Sequence, residues 1–165
     1  MGASFFIKVF RGTHERTPYN ERWARFSPDG KWIAYVSDES GREEVYIQPF
    51  PTSGGKWQIS TTGGTEPRWR GDGRELFYIS DTRSGDGKMM AVSIRWTSSP
   101  ETGAPQELFS VQRALGTDNA NRYAVSGDGQ RFLMNNPQED VTPEQQIVTL
   151  VNWTASLKRW ISRYS

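Results

Sequence analysis

The chain has 165 residues, 35% of them hydrophobic and 24% charged, with a formal net charge of +1. That composition describes one soluble globular domain, with neither the charge excess that attracts nucleic acid nor the bias of a disordered chain. With no Cys and a single His, it excludes a thiol nucleophile, a disulfide framework and every Cys-based zinc site, and it leaves His14 as the one base for a Ser-His-Asp triad. His14 lies in a polar stretch beside Arg11 and Arg16 and reads as a solvated loop residue. Sixteen Gly, nine Pro and seven Trp against six Leu point to an all-β chain, because Gly and Pro punctuate turns and aromatic residues fit a pleated sheet.

The first element in chain order is the apolar run Phe5-Phe6-Ile7-Lys8-Val9-Phe10. A membrane span needs about 20 apolar residues, so this run is far too short, and Lys8 interrupts it. It reads as an orphan strand; with no membrane segment or targeting signal expected, the chain reads as cytoplasmic as given.

A repeat follows. Arg25-Phe26-Ser27-Pro28-Asp29-Gly30-Lys31-Trp32-Ile33-Ala34-Tyr35 returns as Arg68-Trp69-Arg70-Gly71-Asp72-Gly73-Arg74-Glu75-Leu76-Phe77-Tyr78, and again as Ala124-Val125-Ser126-Gly127-Asp128-Gly129-Gln130-Arg131-Phe132-Leu133-Met134. The motif glycines are 43 and then 56 residues apart, the first spacing being that of one four-stranded propeller blade and the second that of a blade with an insertion. Each copy predicts a strand, an Asp-Gly turn and an alternating strand. Third strands are predicted at 44–48, 88–94 and 146–151, and fourth strands at 56–60 and 106–110. The fold expected is a partial β-propeller of about three four-stranded antiparallel blades. Residues 1–20 form an N-terminal strand and linker, and the blades cover 21–61, 65–110 and 121–153. Leu157, Trp160, Ile161 and Tyr164 fall at helical spacing, so 154–165 is a short helix or a packed tail.

The Ser-Pro-Asp-Gly-Lys repeat followed by an apolar strand resembles the WD40-like, or TolB-like, β-propeller repeat. The run from Glu21 to Trp69, with Gln48-Pro49-Phe50-Pro51 and Gly55-Lys56-Trp57-Gln58-Ile59-Ser60, resembles the last blades of propellers attached to bacterial serine/threonine protein kinases. The resemblance covers about residues 19–159 and implies a bacterial scaffold rather than an activity. No kinase signature and no Gly-x-Ser-x-Gly nucleophile elbow occurs in the sequence.

Three blades are too few to close a ring, since natural propellers use roughly four to eight. The expected solution is a homo-oligomer, a dimer giving a six-bladed ring, in which Phe5, Phe6, Ile7, Val9 and Phe10 of one subunit pair with the edge strand 147–153 of another. A different protein or peptide partner, or a longer parent chain, is the competing reading. No nucleic-acid or membrane partner is expected.

One set of site residues follows from the resemblance to six-bladed hydrolase propellers, whose metal ligands project from the starts of the innermost strands. Counting back from the motif glycines leads to Glu21, Glu66 and Asn121, with Asp118 nearby, an oxygen set suited to Ca²⁺ or another divalent cation. Such a site would support a weak ester or phosphoester hydrolase. Against it, Arg22, Arg25, Arg68 and Arg122 neutralise these acids, and no spacing is diagnostic. Arg25 and Arg68 share a repeat position and, with Arg122, are candidates to bind an anion or carboxylate in the channel. The function expected is a noncatalytic scaffold for protein interaction or ligand sensing. The tryptophans raise a third reading, carbohydrate or peptide binding, although Trp32 and Trp69 sit inside the repeat motifs and read as inter-blade core.

Overall fold

The computed structural model describes residues 18–51, 54–80, 87–111, 122–135 and 147–151. The expected strand 5–10 with its interface residues, His14, Asp118, Asn121 and the 154–165 helix lie outside the described residues.

The repeat turn builds each blade. In the first copy, Gly30 N–H donates to the Ser27 carbonyl (2.9 Å), and Ser27 N–H to that of Trp32 (2.8 Å). The Asp29 carboxylate accepts from the Ser27 hydroxyl (2.6 Å) and from Lys31 N–H (3.1 Å). Gly30 has φ +70°, Gly73 +69° and Gly129 +72°, the left-handed region that closes such a turn and that a side chain disfavours. The third copy repeats these bonds through Ser126 and Asp128. In the second, Arg70 stands where the serine would be; Asp72 still accepts from Arg74 N–H (3.0 Å).

These turns join antiparallel meanders. The first blade comprises β1 (Glu21–Phe26), β2 (Trp32–Ser37), β3 (Glu44–Pro49) and β4 (Trp57–Gln58) in that order. The second comprises β5 (Gly64–Trp69), β6 (Glu75–Ser80), β7 (Gly87–Trp96) and β9 (Gln106–Val111). The third comprises β10 (Tyr123–Val125), β11 (Arg131–Asn135) and β12 (Ile147–Val151). There is no helix among the described residues. The chain is therefore all-β, a partial propeller as the repeats predicted.

Two details differ from the expectation. The fourth strand of the first blade is reduced to two residues, and the second blade gains an extra strand, β8 (Pro100–Thr102), paired to the extended end of β7. Thr97 makes that tight reversal by donating its hydroxyl to the Ser99 carbonyl (2.8 Å), while Arg95 pairs with Glu101 across it. The run Thr-Ser-Ser-Pro reads as loop in sequence, and proline is tolerated because β8 is an edge strand.

Strand alternation gives each blade two apolar faces. Ala34, Val36, Val45 and Ile47 of the first blade meet Leu76, Tyr78, Val92 and Ile94 of the second. On its other face the second blade sets Phe77, Ile79, Met89 and Ala91 against Tyr123, Phe132 and Met134 of the third. Phe77 and Phe132 lie edge to face at 5.1 Å. Trp32, Trp57, Trp69 and Trp96 close the rim of the first seam, with Trp69 Nε1 donating to the Arg25 carbonyl (3.1 Å) and Trp96 Nε1 to that of Gly73 (2.9 Å). As expected for Trp32 and Trp69, these rings serve the inter-blade seam.

The two outer faces differ. Ile33, Tyr35 and Tyr46, on the side of the first blade away from the second, are only 2–4% exposed. On the far side of the third blade Leu133 is 45% exposed, beside a shallow depression of about 250 Å³ lined by Ala124, Val125, Ser126, Arg131, Phe132 and Leu133.

Neighbouring turns also touch. Gly71 N–H donates to the Gly127 carbonyl (2.9 Å), and a Cβ on Gly71 would lie 2.6 Å from that oxygen, whereas one on Gly127 would meet nothing within 4 Å. Gly71→Ala is expected to lower stability by about 1–3 kcal/mol in chemical denaturation, because backbone must move, while Gly127→Ala stays close to wild type. The turn carboxylates set an acid dependence. The Ser27 hydroxyl, then Lys31 N–H, holds Asp29 below the usual carboxylate range, and Ser126, then Gln130 N–H, does the same for Asp128. Their lowered folded values mean that their stabilisation is present above the ordinary value near 4 and is lost as pH falls through the folded values. Asp29→Asn with Asp128→Asn should therefore flatten the loss of stability below pH about 4, measured as the denaturation midpoint against pH.

Candidate functional site

The first strands of the blades converge. β1 and β5 lie side by side, and the start of β10 bonds to β5. Both β1 and β5 carry a bulge, between Arg22 and Arg25 and between Thr65 and Arg68. At the bulges Trp23 has φ 56° and Glu66 φ 52°, a region non-glycine residues rarely occupy. The bulge changes the aim of each side chain. Trp23 packs on the first seam with the Arg22 guanidinium 5.6 Å above its ring. Glu66 is 1% exposed and faces the third blade.

There its carboxylate is taken by a single residue. Arg122 donates its backbone N–H to Oε2 (2.8 Å) and its Nε to Oε1, and its Nη2 reaches the Thr65 hydroxyl (3.0 Å). Tyr123 Oη donates to the Glu66 carbonyl (2.8 Å). Complete burial pushes the Tyr123 phenol far above its ordinary value, so it stays a neutral donor. The Arg68 guanidinium lies 5.3 Å from the Tyr123 ring centroid, a cation–π arrangement.

Arg25 and Arg68 keep their repeat equivalence in three dimensions. Each donates Nη1 to the carbonyl just before it, Arg25 to Ala24 (3.1 Å) and Arg68 to Pro67 (3.0 Å). Arg25 and Arg68 are both half-buried. Desolvation chiefly, and the Arg25 charge as well, lowers the Arg68 pKa, while Tyr123 and Glu66 oppose the shift.

Of the expected metal set, Glu21 and Glu66 lie among the described residues, and they occupy different repeat positions. With the turn glycines superposed, the residue equivalent to Glu66 is Trp23 in the first blade and Arg122 in the third, and Glu21 corresponds to Gly64. Glu21 opposes Ser37 at the start of β1. Glu66 has both oxygens engaged by Arg122, and the described residues contain no group of three or more His, Asp or Glu side chains placed to hold a metal ion.

A second buried carboxylate was not singled out from sequence. Glu44, 0% exposed, accepts from Arg42 Nε (2.7 Å) and Gly63 N–H (2.9 Å), and Ser60 Oγ donates to its other oxygen. It fastens the crossing 60–64 to the first blade. Gly64 fits there because a Cβ would lie 2.5 Å from Ser60 Oγ. The available signal was an acid heading an otherwise apolar strand, next to Arg42.

Comparison with known proteins follows this geometry. No protein-family model matches the chain. It is similar to the uncharacterized peptidase YuxL of Bacillus subtilis, 33% identical over 117 residues, covering 67% of this chain and 16% of that protein. Among solved structures it is similar to a putative TolB from Agrobacterium tumefaciens, at 18% identity over 73% of this chain and 39% of that one, with a TM-score of 0.48. The β-propeller domain of the trilobed protease from Pyrococcus furiosus matches at 18% identity over 79% of this chain and 39% of that one, TM-score 0.45. An oligogalacturonate lyase from Vibrio parahaemolyticus matches at 16% identity over 66% and 26%, TM-score 0.44. The chain thus spans about a sixth of the curated relative and at most two-fifths of these structures. The propeller assignment stands on the chain's own sheet order and repeat register. Among the described residues no helix is long and apolar enough to cross a membrane.

The Glu66–Arg122 pair is a buried ion pair between the second and third blades, and removing one partner strands a buried charge. Glu66→Ala is expected to cost about 3–5 kcal/mol. Arg122→Ala should cost much less in the Glu66→Ala background than alone; additive losses in a double-mutant cycle would contradict the pairing.

Proposed function

We propose that the protein is a noncatalytic propeller scaffold for ligand sensing or protein interaction, completed into a closed ring by a second copy of the chain. The observation that carries this reading is Leu133. Its repeat equivalents Ala34 and Phe77 are 0% exposed inside blade seams, whereas Leu133 is 45% exposed on a face built to the same pattern. Another blade on that face would bury it as the two existing seams bury their residues. β12 pairs only with β11 among the described residues, which leaves an edge for the strand 5–10 of a partner chain. The resemblance to propellers carried by bacterial protein kinases fits a sensing role.

The second reading, a cation-dependent hydrolase in the channel using Glu21, Glu66, Asp118 and Asn121, is supported by the similarity to a protein named a peptidase. That match leaves most of the relative uncovered, and Glu66 would have to exchange Arg122 for the cation.

Light scattering on the purified chain is expected to give twice its 18.8 kDa mass. Leu133→Glu, or deletion of residues 1–12, should shift it to the monomer. A wild-type monomer at all concentrations contradicts ring closure by a second copy. Turnover of activated esters or phosphoesters that is lost with EDTA and with Glu66→Ala would favour the hydrolase.

A further inference from the structure

Four tryptophans make one aromatic strip at the end of the blades that carries the repeat turns. Trp32 opens β2, Trp57 opens β4, and Trp69 and Trp96 end β5 and β7. Trp32 is the centre of the strip. Its ring lies 5.4 Å from that of Trp57 and 4.8 Å from that of Trp96, which in turn lies 6.2 Å from that of Trp69. Trp57, Trp69 and Trp96 pack against the buried cluster of the first seam, whereas Trp32 rests on the other rings. All four stay partly exposed, so the strip has a dry side and a wet side.

The wet side offers donors and apolar surface. Trp69 and Trp96 commit their indole N–H groups to backbone carbonyls. Those of Trp32 and Trp57 have no acceptor among the described residues, and because no buried side-chain nitrogen there lacks a partner, both face solvent. An indole donates and never accepts. The acid of the hairpin that carries Trp96 is already engaged: Glu101 accepts from Arg95 Nε (3.0 Å) and from the Thr97 hydroxyl (3.3 Å). The rings are also inclined, 66° between Trp32 and Trp57 and 37° between Trp32 and Trp96, which makes clefts rather than a level platform.

A ligand matched to this strip has carbonyl acceptors, compact apolar rings and no donors of its own to satisfy. A proline-rich peptide meets all three conditions: proline has no N–H, the carbonyls of a polyproline II helix are free, and that helix is extended before it binds. A sugar instead presents hydroxyls that must donate as well as accept. We infer that Trp32 and Trp57, with Trp96 and Trp69 beside them, form a docking strip for a proline-rich segment of a partner protein. The inference rests on the protein-interaction side of the reading above but not on ring closure, because the strip lies within two neighbouring blades of one chain. Prolines enter the clefts beside Trp32, and partner carbonyls accept from the two indole N–H groups.

The test is calorimetric titration of the full chain with a proline decamer and, separately, with a glycine–serine peptide of equal length and with cellohexaose. Saturable binding of the proline peptide alone is expected. Trp32→Phe keeps an aromatic ring and removes one donor, so it should weaken binding about fivefold. The thermal midpoint should hold, since Trp32 is not packed on the buried cluster. Trp57→Phe should weaken binding to a similar degree, and it decides the matter where Trp32→Phe does not fold. Trp23→Phe, on the same seam but outside the strip, should bind as wild type does. No saturable binding of the decamer, binding of cellohexaose in its place, or equal binding by wild type and the two strip variants overturns the inference. A wild-type monomer that binds the decamer supports the strip while contradicting ring closure, and a dimer that does not bind it contradicts the strip alone.

Discussion

Every blade of this chain has two apolar faces, and each face must be covered. That constraint arises from alternation in the second and third strands, where successive residues point to opposite sides and both sides are hydrophobic. Ala34 and Ile33, or Leu76 and Phe77, are neighbours in sequence yet face opposite sides of their blade. No blade can be stable alone, and hydrophobic stabilisation accumulates from seam to seam as in other repeat architectures. The polar bonds follow the seams: Trp69 and Trp96 donate to backbone carbonyls across or along the first, and Arg122 and Tyr123 reach Glu66 across the second.

The two buried carboxylates show how polar groups are tolerated in such an interior. Glu44 and Glu66 are each satisfied by an arginine and by a backbone N–H, and the described residues hold no buried side-chain nitrogen or oxygen without a partner. Glu44 ties a blade to its outgoing crossing, whereas Glu66 ties one blade to the next. The strained bulge at Glu66 is what turns its side chain out of the strand and into the seam. The same bulge at Trp23 delivers an indole instead, so one backbone device serves two chemistries.

Much of this architecture was legible in the sequence because a turn requires particular residues. Asp29-Gly30, Asp72-Gly73 and Asp128-Gly129 mark the hairpins, and the strands that flank them lie where alternation put them. The site was less legible. Glu21, Glu66 and Asn121 are alike in side chain but stand nine, seven and eight residues before the motif glycine, whereas the residues seven before each glycine are Trp23, Glu66 and Arg122. Those three are chemically unlike because each meets a different neighbour, and no side-chain pattern announces that. β8 is illegible for a related reason: it follows a Thr-Ser-Ser turn and opens with Pro100, a loop signal except at a sheet edge.

The apolar surface around Leu133 remains outward-facing among the described blades. The central claim is that the face bearing Leu133 is a seam awaiting its partner. The chain contains no cysteine, so Leu133→Cys places a single thiol on that face. Maleimide labelling of that variant should be slow at concentrations where chains assemble and fast on dilution. A labelling rate that is fast and independent of concentration would contradict the account.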